Sequence, residues 1–176
     1  QTVGRVVLCN AVTGEMTDYS VDEVPTWVDK VYSAELLIGL YDYNGSLKHG
    51  FINSVLSQKD CLKTTDGYNY IALEDDVWVY TGVTSITGDQ SNVGFVLMNQ
   101  RTMETKFYEI SGAEEYSAMD SAKGRVQNLG YTATFPLIIN ISGQPTYFMA
   151  LKDGAGLVKS YAMLNIEKYQ NVAIGD

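Results

Sequence analysis

The sequence holds one histidine, His49, and two cysteines, Cys9 and Cys61. These scarcities exclude more chemistry than any motif supplies. A single histidine rules out the usual multi-histidine metal sites, and neither cysteine has a CxxC or Cys-His neighbour, so no metal centre is expected. HExxH, GxSxG and P-loop spacings are all missing. Twelve lysines and arginines stand against 21 aspartates and glutamates, a net charge of −9, and the basic residues nowhere cluster. That argues against nucleic acid as a partner and against membrane contact by this chain itself. No apolar run approaches the roughly 20 residues needed to cross a bilayer. No signal peptide is visible either, since Gln1 stands directly ahead of a strand. Without an initiator methionine, the chain reads as an excised fragment or a processed product whose anchor lies outside it. A Cys9–Cys61 disulfide would need an oxidising compartment and suitable geometry, and two ordinary cysteines are the simpler expectation.

What is present reads as a globular chain. With 176 residues and 45% apolar content, it should bury roughly 70% of its unfolded surface. The organising stretch runs from Asn92 to Tyr131. Val93 to Met98 predict a strand buried on both faces, and Thr105, Phe107 and Ile110 mark the next. Ser111 and Glu114 have capping-box spacing. Beyond them Met119, Ala122, Val126 and Leu129 share one helix face, with Glu115, Asp120, Lys123 and Gln127 on the others and Gly130 as the stop.

The same pattern opens the chain. Val3 to Leu8 and Glu15 to Val21 predict a hairpin closed at Gly14. Ser20 and Glu23 repeat the capping-box spacing ahead of an apolar face of Trp27, Val28 and Val31. Ser33 is placed to cap a further short helix through Leu36, Leu37 and Leu40. Val3 aligns with Val93, Val6 with Val96, Thr13 with Thr102, Glu15 with Glu104 and Tyr19 with Tyr108, as an internal repeat would. Residues 41–56 read as a long irregular loop. Tyr68 to Leu73 and Trp78 to Thr81 read as a hairpin, residues 87–92 as a polar linker, and Thr132 to Ile166 as a three-stranded meander. The expected fold is therefore α+β, with duplicated hairpin-helix-hairpin units over residues 1–86 and 92–176 and helices packed on antiparallel sheets.

Candidate chemistry is sparse. Asp75-Asp76 and Glu114-Glu115 are adjacent carboxylates of the kind a hydrolase needs, yet a hairpin turn and a helix first turn explain them. Asp89 to Asn92 and Asp153 offer calcium-type oxygens without EF-hand spacing, and turn chemistry explains them better. No catalytic residue, cofactor or metal is assigned. Thirteen tyrosines against five phenylalanines, with Tyr41, Tyr43, Phe51, Tyr68, Tyr70, Trp78 and Tyr80 clustered, fit either a contact surface or ordinary strand composition.

Several segments together carry a resemblance: VPTWVDKVYS (24–33), YTGVTSI (80–86), VGFVLMN (93–99), YSAMDSAKGRVQNLGYTATFP (116–136) and PTYFMALKDGAGLVKSYAM (145–163). The hairpin-plus-helix unit resembles PepSY-type modules. The chain as a whole is similar to the C-terminal region of a functionally uncharacterised, membrane-anchored bacterial family found largely in Firmicutes. The resemblance implies a domain outside the cytoplasm, anchored through a segment not present here, and transfers no catalytic residue. Around His49-Gly50 the family's tryptophans are replaced by Tyr43 and Phe51, which puts any family ligand in doubt. The expected function is a non-catalytic binding or interaction module for a protein, a peptide or other segments of its own parent chain. Its expected ligand surface is Trp27, Tyr43, His49, Phe51 and Asn53. A cell-wall or glycan hydrolase using Asp/Glu pairs and a purely structural assembly domain remain the alternatives. Oligomeric state is open.

Overall fold

The computed structural model describes residues 2–87 and 91–176, Ser91 by its backbone alone. Asp89 and Gln90, the first of the candidate calcium oxygens, lie outside the described residues, as does part of the 87–92 linker.

The chain opens with the hairpin β1 (Arg5–Cys9) and β2 (Met16–Ser20). Its turn is closed by Gly14 at φ 73° and by the Asn10 carboxamide accepting the amides of Val12 and Thr13. The helix expected after Ser20 does not form. Ser20 Oγ donates to the Glu23 carboxylate at 2.6 Å instead of capping an amide, and only a single 3₁₀ turn, Val21–Glu23, follows. The helix begins at the later cap: α1 (Ala34–Ser46), with Ser33 Oγ accepting the Leu36 amide at 3.2 Å.

Nor are residues 41–56 a loop. They complete α1 and form α2 (Phe51–Leu56), with a break at Leu47–Gly50 where His49 and Gly50 take φ of 62° and 88°. Gly45, which reads as loop punctuation, sits inside α1 because any Cβ there would collide with the Leu62 backbone. Both cysteines are free, Cys9 exposed and Cys61 buried.

Next come β3 (Leu62–Thr64), β4 (Asn69–Leu73), β5 (Asp76–Ser85), β6 (Ser91–Asn99) and β7 (Thr105–Ala113). They are followed by α3 (Glu115–Arg125), β8 (Thr132–Ala133), β9 (Leu137–Ile141), β10 (Gln144–Lys152), β11 (Val158–Asn165) and β12 (Val172–Gly175). Ser111 belongs to β7 rather than to a capping box. The pairing of Gly112 with Asn92 carries the strand past it, and Glu114 becomes the N-cap with no side-chain cap bond. Pro136 divides the expected Thr132–Ile141 strand into β8 and β9.

Beside the β1–β2 hairpin there are two five-stranded antiparallel sheets, and the fold is α+β. In the first, long β5 pairs on one side with β4 and β3 in succession and on the other with β6, which pairs with β7. In the second, β10 pairs on one side with β9 and β8 and on the other with β11, which pairs with β12. A division between residues 86 and 92 falls inside the β5–β6 ladder, which runs from Trp78 opposite Asn99 to Thr84 opposite Asn92.

Both faces of the first sheet carry packed apolar side chains, so much of β5 and β6 is buried. Val79, Val83, Val96 and Met98 pack with Ala34 and Leu37 of α1. From the opposite face Phe95 joins Ala118 and Ala122 of α3, Val126 at its C-terminal cap, and Tyr147, Met149, Leu151, Ala162 and Leu164 of the second sheet. The outer face of the second sheet is open, with Tyr161 stacked on Phe148 at 5.3 Å.

Candidate functional site

Strand alternation places Ile71 of β4, Tyr80 of β5, Phe95 and Leu97 of β6 and Tyr108 of β7 on one face of the first sheet. Ile138, Asn140, Gly143 and Pro145 of the β9–β10 hairpin stand against that floor. The two enclose an open cleft of about 740 Å³, within the range of small-molecule and peptide sites. The Tyr80 hydroxyl donates to the Pro136 carbonyl and ties the hairpin to the floor; burial raises its pKa. Among the described residues, the charged ones lining the cleft are Glu109 and Glu167. The site is apolar with an acidic rim, the chemistry of a surface that takes apolar groups accompanied by positive charge.

Beneath this region lies a buried polar cluster. Glu115, the first residue of α3, is fully buried, although helix periodicity assigns it to a polar face. One carboxyl oxygen accepts from Thr65 Oγ1 at 2.9 Å, and the other has no hydrogen-bond partner, as is also true of Asn92 Oδ1. Asn92 donates to the Tyr147 hydroxyl at 3.4 Å, which donates to the Ala113 carbonyl at 2.9 Å. Burial pushes the Glu115 carboxyl above its ordinary range, against smaller opposing pulls from Thr65 and Asn92. Gly82 makes room for this group, because a Cβ there would lie 2.5 Å from the Glu115 carboxylate.

The five residues expected to bind ligand do not line the cleft. Trp27, Tyr43 and Phe51 each expose more than 70% of their surface. His49 lies 3.1 Å from the Asp60 carboxylate. Asn53 is a loop anchor: its amide donates to the carbonyls of Lys48 and Lys59, and its oxygen accepts the Lys59 amide and the Ser57 hydroxyl. Tyr43, Phe51, Ile52, Val55 and Leu56 are nevertheless exposed together on α1 and α2.

The other carboxylate candidates are structural. Asp76 receives two bonds from Arg101, at 2.6 and 2.7 Å, and one from Asn99 at 2.8 Å. Asp153 accepts the amides of Ala155 and Leu157 in its own turn. Among the described residues no three histidine, cysteine, aspartate or glutamate side chains group as metal ligands, and no helix is long and apolar enough to cross a membrane.

Sequence reasoning missed the cleft residues because they come from separate strands between Ile71 and Glu167. Of the cleft residues only Tyr80 belongs to the aromatic cluster that the sequence singles out. Comparison with family models, with curated proteins and with solved structures gives no match to the chain.

Proposed function

We propose that the chain is a non-catalytic binding module whose ligand site is the cleft between the first sheet and the β9–β10 hairpin. The observation that carries this reading is the cleft's lining: a floor of Tyr80, Phe95, Leu97 and Tyr108 with carboxylates only at Glu109 and Glu167. A glycan hydrolase working through an Asp/Glu pair needs an acid of raised proton affinity in contact with substrate. Glu115 is the carboxylate so perturbed, and it is sealed from solvent and does not line the cleft.

The proposed setting is outside the cytoplasm, within a larger membrane-anchored bacterial protein. The support is the resemblance carried by residues 116–136 and 145–163. The proposed ancestry is a duplicated PepSY-like unit. The units are the hairpin-helix-hairpin stretches 1–86 and 92–176, and the support is that β3, β4 and β5 after α1 match β8, β9 and β10 after α3, each two short strands paired to one side of a long third. The test is a fragment screen by NMR on the full chain and on Leu97→Trp, which fills the cleft. Shifts mapping to Leu97, Tyr108 and Ile138 and lost in Leu97→Trp support the reading; fragments that bind the variant equally well overturn it.

A second reading rests on the exposed α1–α2 surface. Tyr43, Phe51, Ile52, Val55 and Leu56 form an apolar patch of the kind that marks a contact surface, and shifts confined to residues 43–56 would favour it.

A further inference from the structure

Resting on the cleft reading, we propose that the occupant is an extended polypeptide segment, apolar at alternate positions and carrying a basic residue, which pairs with the free edge of β7 as an added strand. β7 is nine residues long and ends the first sheet, pairing only with β6. An exposed strand edge of this length presents a row of backbone donors and acceptors, which natural proteins ordinarily guard with proline, lysine or a covering element. β7 contains no proline. Its one lysine is turned away: Lys106 Nζ sits 4.6 Å from the Trp78 ring and within 3.6 Å of Glu74 and Glu104. Phe107 and Tyr108 remain 45% exposed each.

Three further observations place the occupant on this edge. Tyr108, Glu109, Ile110 and Ser111 line the cleft consecutively. Since alternate side chains of a strand point to opposite faces, a consecutive run marks the strand's border. The end of that border is already bonded to neighbouring backbone, because the Ala113 amide donates to the carbonyl of Ile166, 3.1 Å away in the bend after β11. Several other edges are partly engaged, β12 among them through its packing on α3. β3 packs on α1 and β8 on α3, and the chain entering β9 is bonded by Tyr80 at the Pro136 carbonyl. Charge selects the partner: Glu109 and Glu167 flank the path on a chain of net charge −9. Strand addition of this kind draws affinity from main-chain bonds and specificity from alternate side-chain pockets.

The probe is a library of acetylated, amidated heptapeptides in which valine or tyrosine alternates with threonine or lysine, assayed on the full chain. Binders are then remade with each backbone amide methylated in turn. The expected result is an alternating pattern: methylation at every second amide weakens binding about tenfold or more, and at the intervening amides has little effect. Glu109→Lys, a surface change that leaves the core untouched, should weaken lysine-bearing peptides about tenfold.

Binding indifferent to methylation but abolished by Leu97→Trp overturns strand addition and leaves the cleft reading standing. The same holds if fragments occupy the cleft while no peptide binds. Peptide binding unchanged in Leu97→Trp and in Glu109→Lys overturns both. A concentration-dependent dimer with contacts between β7 strands of two copies, in place of peptide binding, makes the occupant a second copy and overturns the partner named here.

Discussion

The β5–β6 ladder carries a buried carboxylate against an asparagine at each end, and the two ends resolve the burial in opposite ways. At one end Asp76 meets Arg101 and Asn99. The paired cation and the asparagine hold its carboxyl below the ordinary range. At the other end Glu115 lies over Gly82 beside Asn92 and Thr65. Among the described residues no cation is placed against it, and burial raises its pKa. Asp76 is a charge kept at the rim by a partner. Glu115 is a polar group inside the junction of the two sheets, with two side-chain oxygens of its cluster unsatisfied. Burial without a counter-charge favours the neutral acid, and burial with one favours the ion.

Filling the space beneath Glu115 breaks the comparison most strongly. In Gly82→Ala the new methyl would meet the Glu115 carboxylate, the Asn92 amide and the Thr65 hydroxyl at 2.5, 2.6 and 2.8 Å. Glu115 and Asn92 are buried and cannot swing to solvent. Overpacking of this kind costs about 1–3 kcal/mol, read as a fall in Tm of several degrees for a chain of this size. A Tm unchanged by Gly82→Ala would show that the cluster is loosely held and that the close approach imposes no constraint.

The acids themselves sharpen the contrast through pH. Glu115 is raised in the folded state, so that state binds more protons than the unfolded one between the ordinary glutamate range and the raised value. Stability therefore falls as pH rises through that window and is flat above it. Glu115→Gln removes the penalty, since its amide can donate to Thr65 while its oxygen takes the other carboxyl position. The variant should be more stable than the wild type at neutral pH, with the gain vanishing at the acid side of the window. Asp76 is depressed, so its contribution is fully present above the ordinary aspartate range and is lost as pH falls through the lowered value. Asp76→Asn should lower Tm by a few degrees at neutral pH and flatten the acid limb. Denaturation of the three proteins from acid to neutral pH separates the windows. A Glu115→Gln chain less stable than the wild type at neutral pH would mean that the carboxylate is ionised and supported in place.

Much of this architecture could be read from residue order, and the unread parts share a cause. The hairpins around Gly14 and around Glu74-Asp75 were legible because turn residues state their own geometry: both central residues of the second turn have positive φ, at 53° and 65°. The helix start at Ser33 was legible as a cap, whereas Ser20 and Ser111, which have the capping-box spacing, do not cap. Strand pairing claimed Ser111, and the absence of a continuing helix left Ser20 to Glu23. Glu115 shows the limit most plainly. Helix periodicity assigns it to a polar face, and only the arrival of β5, β6 and β10 from elsewhere in the chain buries it. The cleft is hidden for the same reason. Its floor is an every-second-residue pattern, but which faces of which strands meet is set by sheet order, which no local stretch encodes. Tyr43 and Phe51 stood out as large and aromatic. Large side chains flag core and contact surface alike until burial is known.

The smallest expected effect separates those two uses of apolar side chains. Phe95 and Phe51 are both large aromatics on secondary structure, one 1% exposed in the core between the sheets and the other 74% exposed on α2. Replacing the first should cost several kcal/mol through cavity formation, about 3–5 for Phe→Ala. Replacing the second, with Leu56, in a Phe51→Ser/Leu56→Ser chain should change stability by no more than about 0.5 kcal/mol, because neither side chain loses a packed partner. What should change is association. If Tyr43, Ile52, Val55 and their neighbours form a contact surface, removing its two most exposed members lowers self-association in sedimentation at unchanged Tm. A Tm that drops with the double substitution would instead place α2 in the folding core, and the exposed helix would then be a structural element rather than a contact surface.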